Sequence, residues 1–398
     1  MTVTGETVVV GGGIGGLACA LALRRCGWEV TVAERATEPA GAGAGLMLYP
    51  NGVAALDAIS PALGARIRRV GHVVGAGEVR LLLDSAGRIL AREPIGAVVH
   101  EFGLPMVAVL RSVLQLELAE EARRAGVRIR HGAVVRSYRT TEERAWVATA
   151  DDRELGADLV VGADGLRSVV RARMVGQSPP QYRGYSSVRG RSPLAGEPAT
   201  FVANGRGLQL FVSPVAPGLR YWTAKITAPP GVWPRMGAAR AHEALLDLVA
   251  DWDPPVARMI AASSPEELAV SDIHDRAPLR RWADGRVVLL GDAAHPMVPA
   301  LGQGANMALE DAVVLATALG EAGEVGAGLR AYQSARVART APVVLQSRRQ
   351  GAMDQGAGRL RARLRDRLMR RRGAKDASAR AVMGWRPQRA LTGGGVCG

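Results

Sequence analysis

Apolar and β-branched positions run without a break from Thr7 to Val10, which predicts a buried strand. Glycine then punctuates the chain at Gly11, Gly13 and Gly16, with Ile14 and Gly15 between them. An Ala/Leu-rich stretch follows, predicting a helix that turns at Gly27 into a second strand ending at Glu34. Two later apolar runs have the same form. One covers Asp158 to Val161 and breaks into Gly-Ala-Asp-Gly at Gly162 to Gly165; the other covers Arg286 to Leu290 and breaks into Gly-Asp at Gly291 and Asp292. Helical spacing predicts helices over Ser112 to Ala125, from Met307 to Leu319, and roughly over Leu329 to Arg349 and Gly358 to Arg372. In the first of these, Val113, Leu114, Leu116, Leu118 and Ala122 make a broad stripe expected to be buried.

The texture changes from about Gln177 to Asp275. This segment is rich in Pro and Gly and alternates over Leu208 to Val215 and Arg220 to Thr227, which predicts antiparallel strands with a helix near Ala239 to Ala250. Short strands with glycine turns are also expected between Val70 and Val99. The pattern is that of an α/β doubly wound unit made of residues 1–72, 98–176 and 276–398. A β-rich unit of residues 73–97 and 177–275 is inserted into it.

Composition narrows this picture. With 398 residues, 48% of them hydrophobic, the chain can bury a large core. No apolar run reaches the length of a membrane span and the N-terminus lacks a secretory pattern, so a cytoplasmic protein is expected. Cys19 and Cys26 fall in the first helix pattern and Cys397 in a Gly-rich tail, so no disulfide framework is expected. The histidines are scattered, and no metal site is expected. The net charge of +14 raises the question of nucleic acid, yet the cations are almost all Arg, with Lys only at Lys225 and Lys375. Half of that charge lies in Arg359 to Arg372, where eight arginines meet only Asp366 and Leu360, Leu364 and Leu368 recur every fourth residue. The expectation is a helix docked through its leucines with its arginines in water; without interleaved aromatics, a nucleic-acid partner is not expected.

The chemistry begins at the glycines. Strand, GxGxxG loop and helix are what a dinucleotide site needs: a tight turn, room for backbone to reach a pyrophosphate, close helix packing, and helix N–H groups facing phosphate. Glu34, 18 residues beyond Gly16, is placed to accept bonds from ribose hydroxyls. Arg111 opens a helix, where a cation opposes the dipole unless an anion lies near. Asp164 and Asp292 each follow an apolar strand, at the sheet edge where ligands of doubly wound folds bind. Pro299, Gly302 and Gly304 lead into a helix whose first amides, through Ala305 and Asn306, form a second anion nest.

The order GGGIGGL, Glu34-Arg35, Arg111, GADGLRS and GDAAHPMVPALGQGANMALEDA resembles the single-component FAD-dependent aromatic hydroxylases, the group of p-hydroxybenzoate and salicylate hydroxylases, over nearly the whole chain. The resemblance implies an FAD domain interrupted by a substrate-binding β domain, with NADH or NADPH and O2 as co-substrates. It implies hydroxylation of a small aromatic or polycyclic substrate through a flavin C4a-hydroperoxide. By the same resemblance, Gly11, Gly13, Ile14, Gly15 and Gly16 shape the pyrophosphate loop, Glu34 holds ribose, and Arg35 and Arg111 lie along the diphosphate and ribityl region. Val135 offers backbone to adenine, and Asp164 belongs to a motif tied to both nucleotides. Asp292 meets the ribityl chain, and Pro299, Gly302, Gly304, Ala305 and Asn306 face the isoalloxazine edge. Each has a plainer reading: Arg35 as a surface residue, Arg111 as an ion-pair partner, Asp164 as a helix cap. Gln209, Phe211, Tyr221 and Trp222 are the expected substrate contacts, although strand aromatics also pack cores. No side-chain base is identified. A monomer or homodimer is expected. Epoxidation, Baeyer-Villiger oxidation or reduction on the same scaffold stay open, as does a non-catalytic basic binding module.

Overall fold

The computed structural model describes residues 4–38, 45–194, 200–252, 254–372, 377–388 and 391. The glycine-rich loop expected to start at Gly41 lies outside these residues as far as position 44, as does the tail holding Cys397.

A six-stranded sheet carries the strands Ala283–Asp284, Val287–Leu289, Leu159–Gly162, Glu6–Val10, Glu29–Ala33 and Arg128–Arg130 in that spatial order. All but the first pair in parallel. Such strands are buried on both faces, which is why they read as continuous apolar runs. Their register decides where the chemistry goes. Val10 sits opposite Gly162 and Ala33, and Gly162 sits opposite Leu289, so the strands end side by side. The residues that follow, Gly11, Glu34, Asp164 and Asp292, are therefore delivered to one edge. The helix Ile14–Arg25 packs against Arg111–Arg124 and Gly304–Glu321. Gly16 allows the tight turn: a Cβ there would lie 1.9 Å from the Gly11 carbonyl oxygen.

A seven-stranded sheet is built from Ala269–Asp275, Gln181–Ser192, Leu219–Thr227, Leu208–Ala216, Thr200–Asn204, Arg80–Asp84 and Ile89–Glu93, in spatial order. It is antiparallel except where Thr200–Asn204 runs alongside Arg80–Asp84. One face, with Val188, Leu210, Val212, Trp222, Ala224 and Ile226, packs with Trp233, Leu245 and Ile260 into an apolar core. The opposite face lines a cleft. A three-stranded sheet of Gly45–Leu48, Val107–Leu110 and His72–Val73 places Arg111 immediately after its central strand.

Two side-chain expectations are corrected. Leu116 is exposed where a buried stripe was expected, because it borders the cleft. In the helix Arg359–Arg372 two of the three leucines do not dock: Leu360 is 81% and Leu364 56% exposed, while Leu368 is half-buried at the cleft wall and Ala362 and Arg365 are buried. Arg365 goes inward because its guanidinium donates to the carbonyls of Gly205 (2.9 Å) and Asp354 (3.1 Å) and pairs with Asp366. Among the described residues no helix is long and apolar enough to cross a membrane.

Candidate active site

A cleft of about 1190 Å³ runs from the carboxyl edge of the parallel sheet to the polar face of the seven-stranded sheet. At its first end lie Gly11, Gly13, Ile14 and Gly15, with Glu34, Arg35 and Val135 beside them. Gly11 has φ +105°, and a Cβ there would meet the Ala163 carbonyl oxygen at 2.5 Å, so it turns the chain. Gly13 differs: nothing lies within 4 Å of its Cβ position, which leaves backbone bare toward the cleft. Glu34 accepts from the amides of Gly12 (2.5 Å) and Ala36 (2.8 Å), which fixes the carboxylate against the glycine loop. Arg35 is exposed at the rim.

Midway, Arg111, Asp164, Asp292, Pro299, Gly302, Gly304 and Ala305 line the cleft. Among the described residues Arg111 has no acidic ion-pair partner, so the ion-pair reading of this residue fails there. Its field instead reaches Asp292, whose carboxyl is exposed on the cleft. The protein walls around it strip away part of its solvation and raise the Asp292 pKa, opposed by His295 and Arg111. Asp164 uses one oxygen to cap the helix Val169–Val175, accepting from Val169 N (2.7 Å) and Val170 N (3.3 Å). Its other oxygen is buried with no partner among the described residues, and burial raises its pKa. Capping and ligand contact are therefore compatible. Gly302 takes φ +65°, and the helix Gly304–Glu321 starts two residues later. A Cβ on Gly304 would come no closer than 3.9 Å to Asp292 Oδ1, so its missing side chain leaves open cleft and is not needed for packing.

Two of the expected cofactor residues stand back from the cleft. Gly16 is occupied with the loop itself. Asn306 is fully buried and staples two elements: its Oδ1 accepts from Tyr49 N (3.0 Å) and its Nδ2 donates to the carbonyls of Met47 (3.0 Å) and Gly302 (2.9 Å).

Behind the loop lies a charged network that periodicity did not reveal. Asp311 accepts from Gly291 N (2.9 Å), His295 Nε2 (2.6 Å) and Arg336 Nε (2.6 Å). Glu310 accepts from Asn51 Nδ2 (2.7 Å), Arg336 (2.7 Å) and Arg339 (2.6 Å). Burial pushes the Asp311 pKa up, but His295 and Arg336 outweigh it and hold it at about 2. His295, stacked on Trp282 at 5.4 Å, thus anchors the turn and does not face the cleft.

At the far end, Gln209, Phe211 and Tyr221 line the cleft as expected, but Trp222 does not. Neighbouring strand residues point to opposite faces, so Tyr221 and Trp222 cannot both reach the cleft. Trp222 is fully buried in the core and donates from Nε1 to Ser263 Oγ (2.8 Å). The same period of two selects residues that were missed: Thr223 and Lys225 beyond Tyr221, and Ser187 and Arg189 on the paired strand. Lys225 Nζ donates to Gln209 Oε1 (3.1 Å) and to Asp354 Oδ2 (3.3 Å). Arg189 donates to Ser271 Oγ (2.6 Å), while its Nε is buried with no partner among the described residues; burial lowers its pKa. Burial raises the Tyr221 pKa, keeping the phenol protonated as a donor.

The bare backbone at Gly13 and, among the described residues, the Asp164 oxygen without a hydrogen-bond partner and Arg111 without an acidic ion-pair partner fit an extended anionic dinucleotide. Fold and cleft together define a flavoprotein oxidoreductase with its second sheet over the ligand site. The chain belongs to the FAD-binding domain family, whose model matches residues 4–347. It is 36% identical over 381 residues to the aurachin C monooxygenase/isomerase of Stigmatella aurantiaca, covering 95% of this chain and 97% of that protein. It is 38% identical over 375 residues to a 3-amino-4-hydroxybenzoate 2-monooxygenase of Streptomyces platensis, covering 91% of each. HpxO of Klebsiella pneumoniae, solved with FAD and uric acid, superposes with a TM-score of 0.85 at 27% identity over 95% of both chains. FAD is the cofactor, and the chain is an FAD-dependent monooxygenase.

Proposed function

We propose that this enzyme hydroxylates a small aromatic ring bearing an acidic oxygen, using NADH or NADPH and O2. One atom of O2 enters the ring and the other leaves as water, with the electron pair supplied by the nicotinamide. The observation that carries this reading is the continuity of the cleft from the glycine loop, past Gly302 and Gly304, to a wall holding two cationic side chains, Arg189 and Lys225, the latter paired with Asp354.

Glycine-loop backbone at Gly11, Gly13, Ile14 and Gly15 would face the pyrophosphate of FAD, and Glu34 the adenosine ribose, with Val135 near adenine. Arg35 and Arg111 would balance phosphate charge, and Asp164 and Asp292 would accept from hydroxyls. Pro299, Gly302, Gly304 and Ala305 would border the flavin ring. Bound FAD supplies the redox chemistry of hydride acceptance and oxygen transfer. The residues of the chain position the substrate. Arg189 and Lys225 favour its ionised oxygen, which enriches the ring in electrons, and Tyr221 donates to it as a neutral phenol. Phe211 and Met297 cover the ring and exclude water. Residues 73–97 and 177–275 serve as the substrate-binding part, in a cytoplasmic monomer or homodimer.

The test is a panel of phenols, hydroxybenzoates and hydroxylated heteroaromatics, read by NAD(P)H consumption and by product mass. A product one oxygen heavier, formed in step with NAD(P)H, is expected. Rapid oxidation without any oxygenated product across the panel would overturn the substrate class.

A further inference from the structure

We propose that the helix Arg359–Arg372 is a docking surface for an anionic lipid leaflet. The helix presents its small and inward-bonded residues, Ala362 and Arg365, to the protein. A step of 100° per residue puts Leu360 and Leu364 at the middle of the opposite face, with Arg367 and Arg371 between and below them. Arg363 and Arg370 flank that face on one side and Arg361 on the other; all are exposed. Among the described residues none of these arginines has an acidic partner, since Asp366, the helix's one acid, is taken by Arg365.

Leu360 and Leu364 stand exposed one turn apart among these arginines. A cluster of surface cations is attracted to the phosphates of an anionic leaflet, and the two leucines can enter the headgroup region beside them. The other candidate occupants fit less well. Nucleic acid would use the charge but leave the leucines without a role, and there is no aromatic on this helix to stack a base. A second copy of the chain, seated symmetrically, would set arginine against arginine. The same helix contributes Arg365, Leu368 and Met369 to the cleft wall, so a docked leaflet would lie against the side of the substrate site.

The experiment is flotation of the full FAD-loaded chain with vesicles of phosphatidylcholine, alone or mixed with phosphatidylglycerol, at rising salt. Binding to the mixed vesicles only, weakening with salt, is expected. Arg363→Glu/Arg367→Glu/Arg371→Glu should weaken it by about a hundredfold or more, at roughly fivefold per lost arginine. Leu360→Ser/Leu364→Ser should weaken it several-fold with the charge intact. Both variants should keep their flavin absorbance and helical circular dichroism, because none of the five side chains touches the core. Failure to bind mixed vesicles, or binding unaffected by either variant, would overturn the proposal. So would charge-dependent capture of RNA, or self-association, that accounts for the same residues without lipid.

Discussion

At Tyr221 and Trp222 one step along a strand separates ligand from core. Trp222→Ala should destabilise the fold by about 3–5 kcal/mol, the usual cost of emptying a buried aromatic site, as read by urea unfolding. Lys225→Met should leave the slope of the unfolding transition nearly unchanged and raise KM for an anionic substrate more than it lowers kcat. An unchanged KM would remove Lys225 from substrate binding. Some cost in stability is also expected, because Asp354 loses its cation. The alternation that sorts these residues was present in Arg220 to Thr227 all along, and it already excluded Trp222 once Tyr221 was chosen. Lys225 was hidden for another reason: its partner Asp354 is 129 residues away, and no local spacing reports a pair closed by a returning helix. Arg189 was hidden in the same way, since only the pairing of its strand with Leu219–Thr227 brings it to the Tyr221 side.

The helix Gly304–Glu321 illustrates what an element must satisfy at both ends. Its first turn faces the cleft, and its buried flank holds Glu310 and Asp311, which bond the Gly291 amide, His295, Asn51 and Arg336. Asp311 has a depressed folded-state pKa of about 2, so its contribution to stability is complete above the ordinary carboxylate value and is lost as pH falls toward 2. Stability of the wild-type chain should therefore drop steeply over that acid window. Asp311→Asn, already missing the charge, should be less stable at neutral pH by about 3–5 kcal/mol and flatter across the window. Parallel pH profiles from denaturant titration would count against this account. At the cleft end, a Cβ on Gly304 meets Asp292 and Met297 only at ordinary contact distance, so in Gly304→Val thermal stability should hold while the ratio of product to NAD(P)H consumed falls. Full coupling in a folded variant would remove this turn from the chemistry. Glycine loops and strand-ending carboxylates were legible because each is a local pattern of a few residues. The charged network behind them was not, since Glu310 and Asp311 also read as ordinary acids early in a helix.

Across the whole molecule, the parallel sheet and the seven-stranded sheet share one cleft, and the strand register that aligns Val10, Ala33, Gly162 and Leu289 decides where it opens. A ligand held there touches both sheets, and the unfolded chain, with its glycine loop and carboxylates scattered, has no equivalent site. FAD should then stabilise the folded state in proportion to the logarithm of its concentration, by about 2.7 kcal/mol at a hundred times Kd. For a chain of this size that corresponds to several degrees in Tm. Stripping FAD should lower Tm by that amount, and titrating it back should restore the value progressively. Glu34→Ala removes the carboxylate that accepts from Gly12 and Ala36, and should weaken FAD binding by about 1–3 kcal/mol. The variant should follow the same curve displaced to higher FAD concentration, from an apo Tm lowered by the loss of the bonds to Gly12 and Ala36. A Tm that ignores FAD in the wild-type chain would mean that the cleft is not where the cofactor binds. An unchanged FAD affinity in Glu34→Ala would mean that the carboxylate serves the loop and not the ribose.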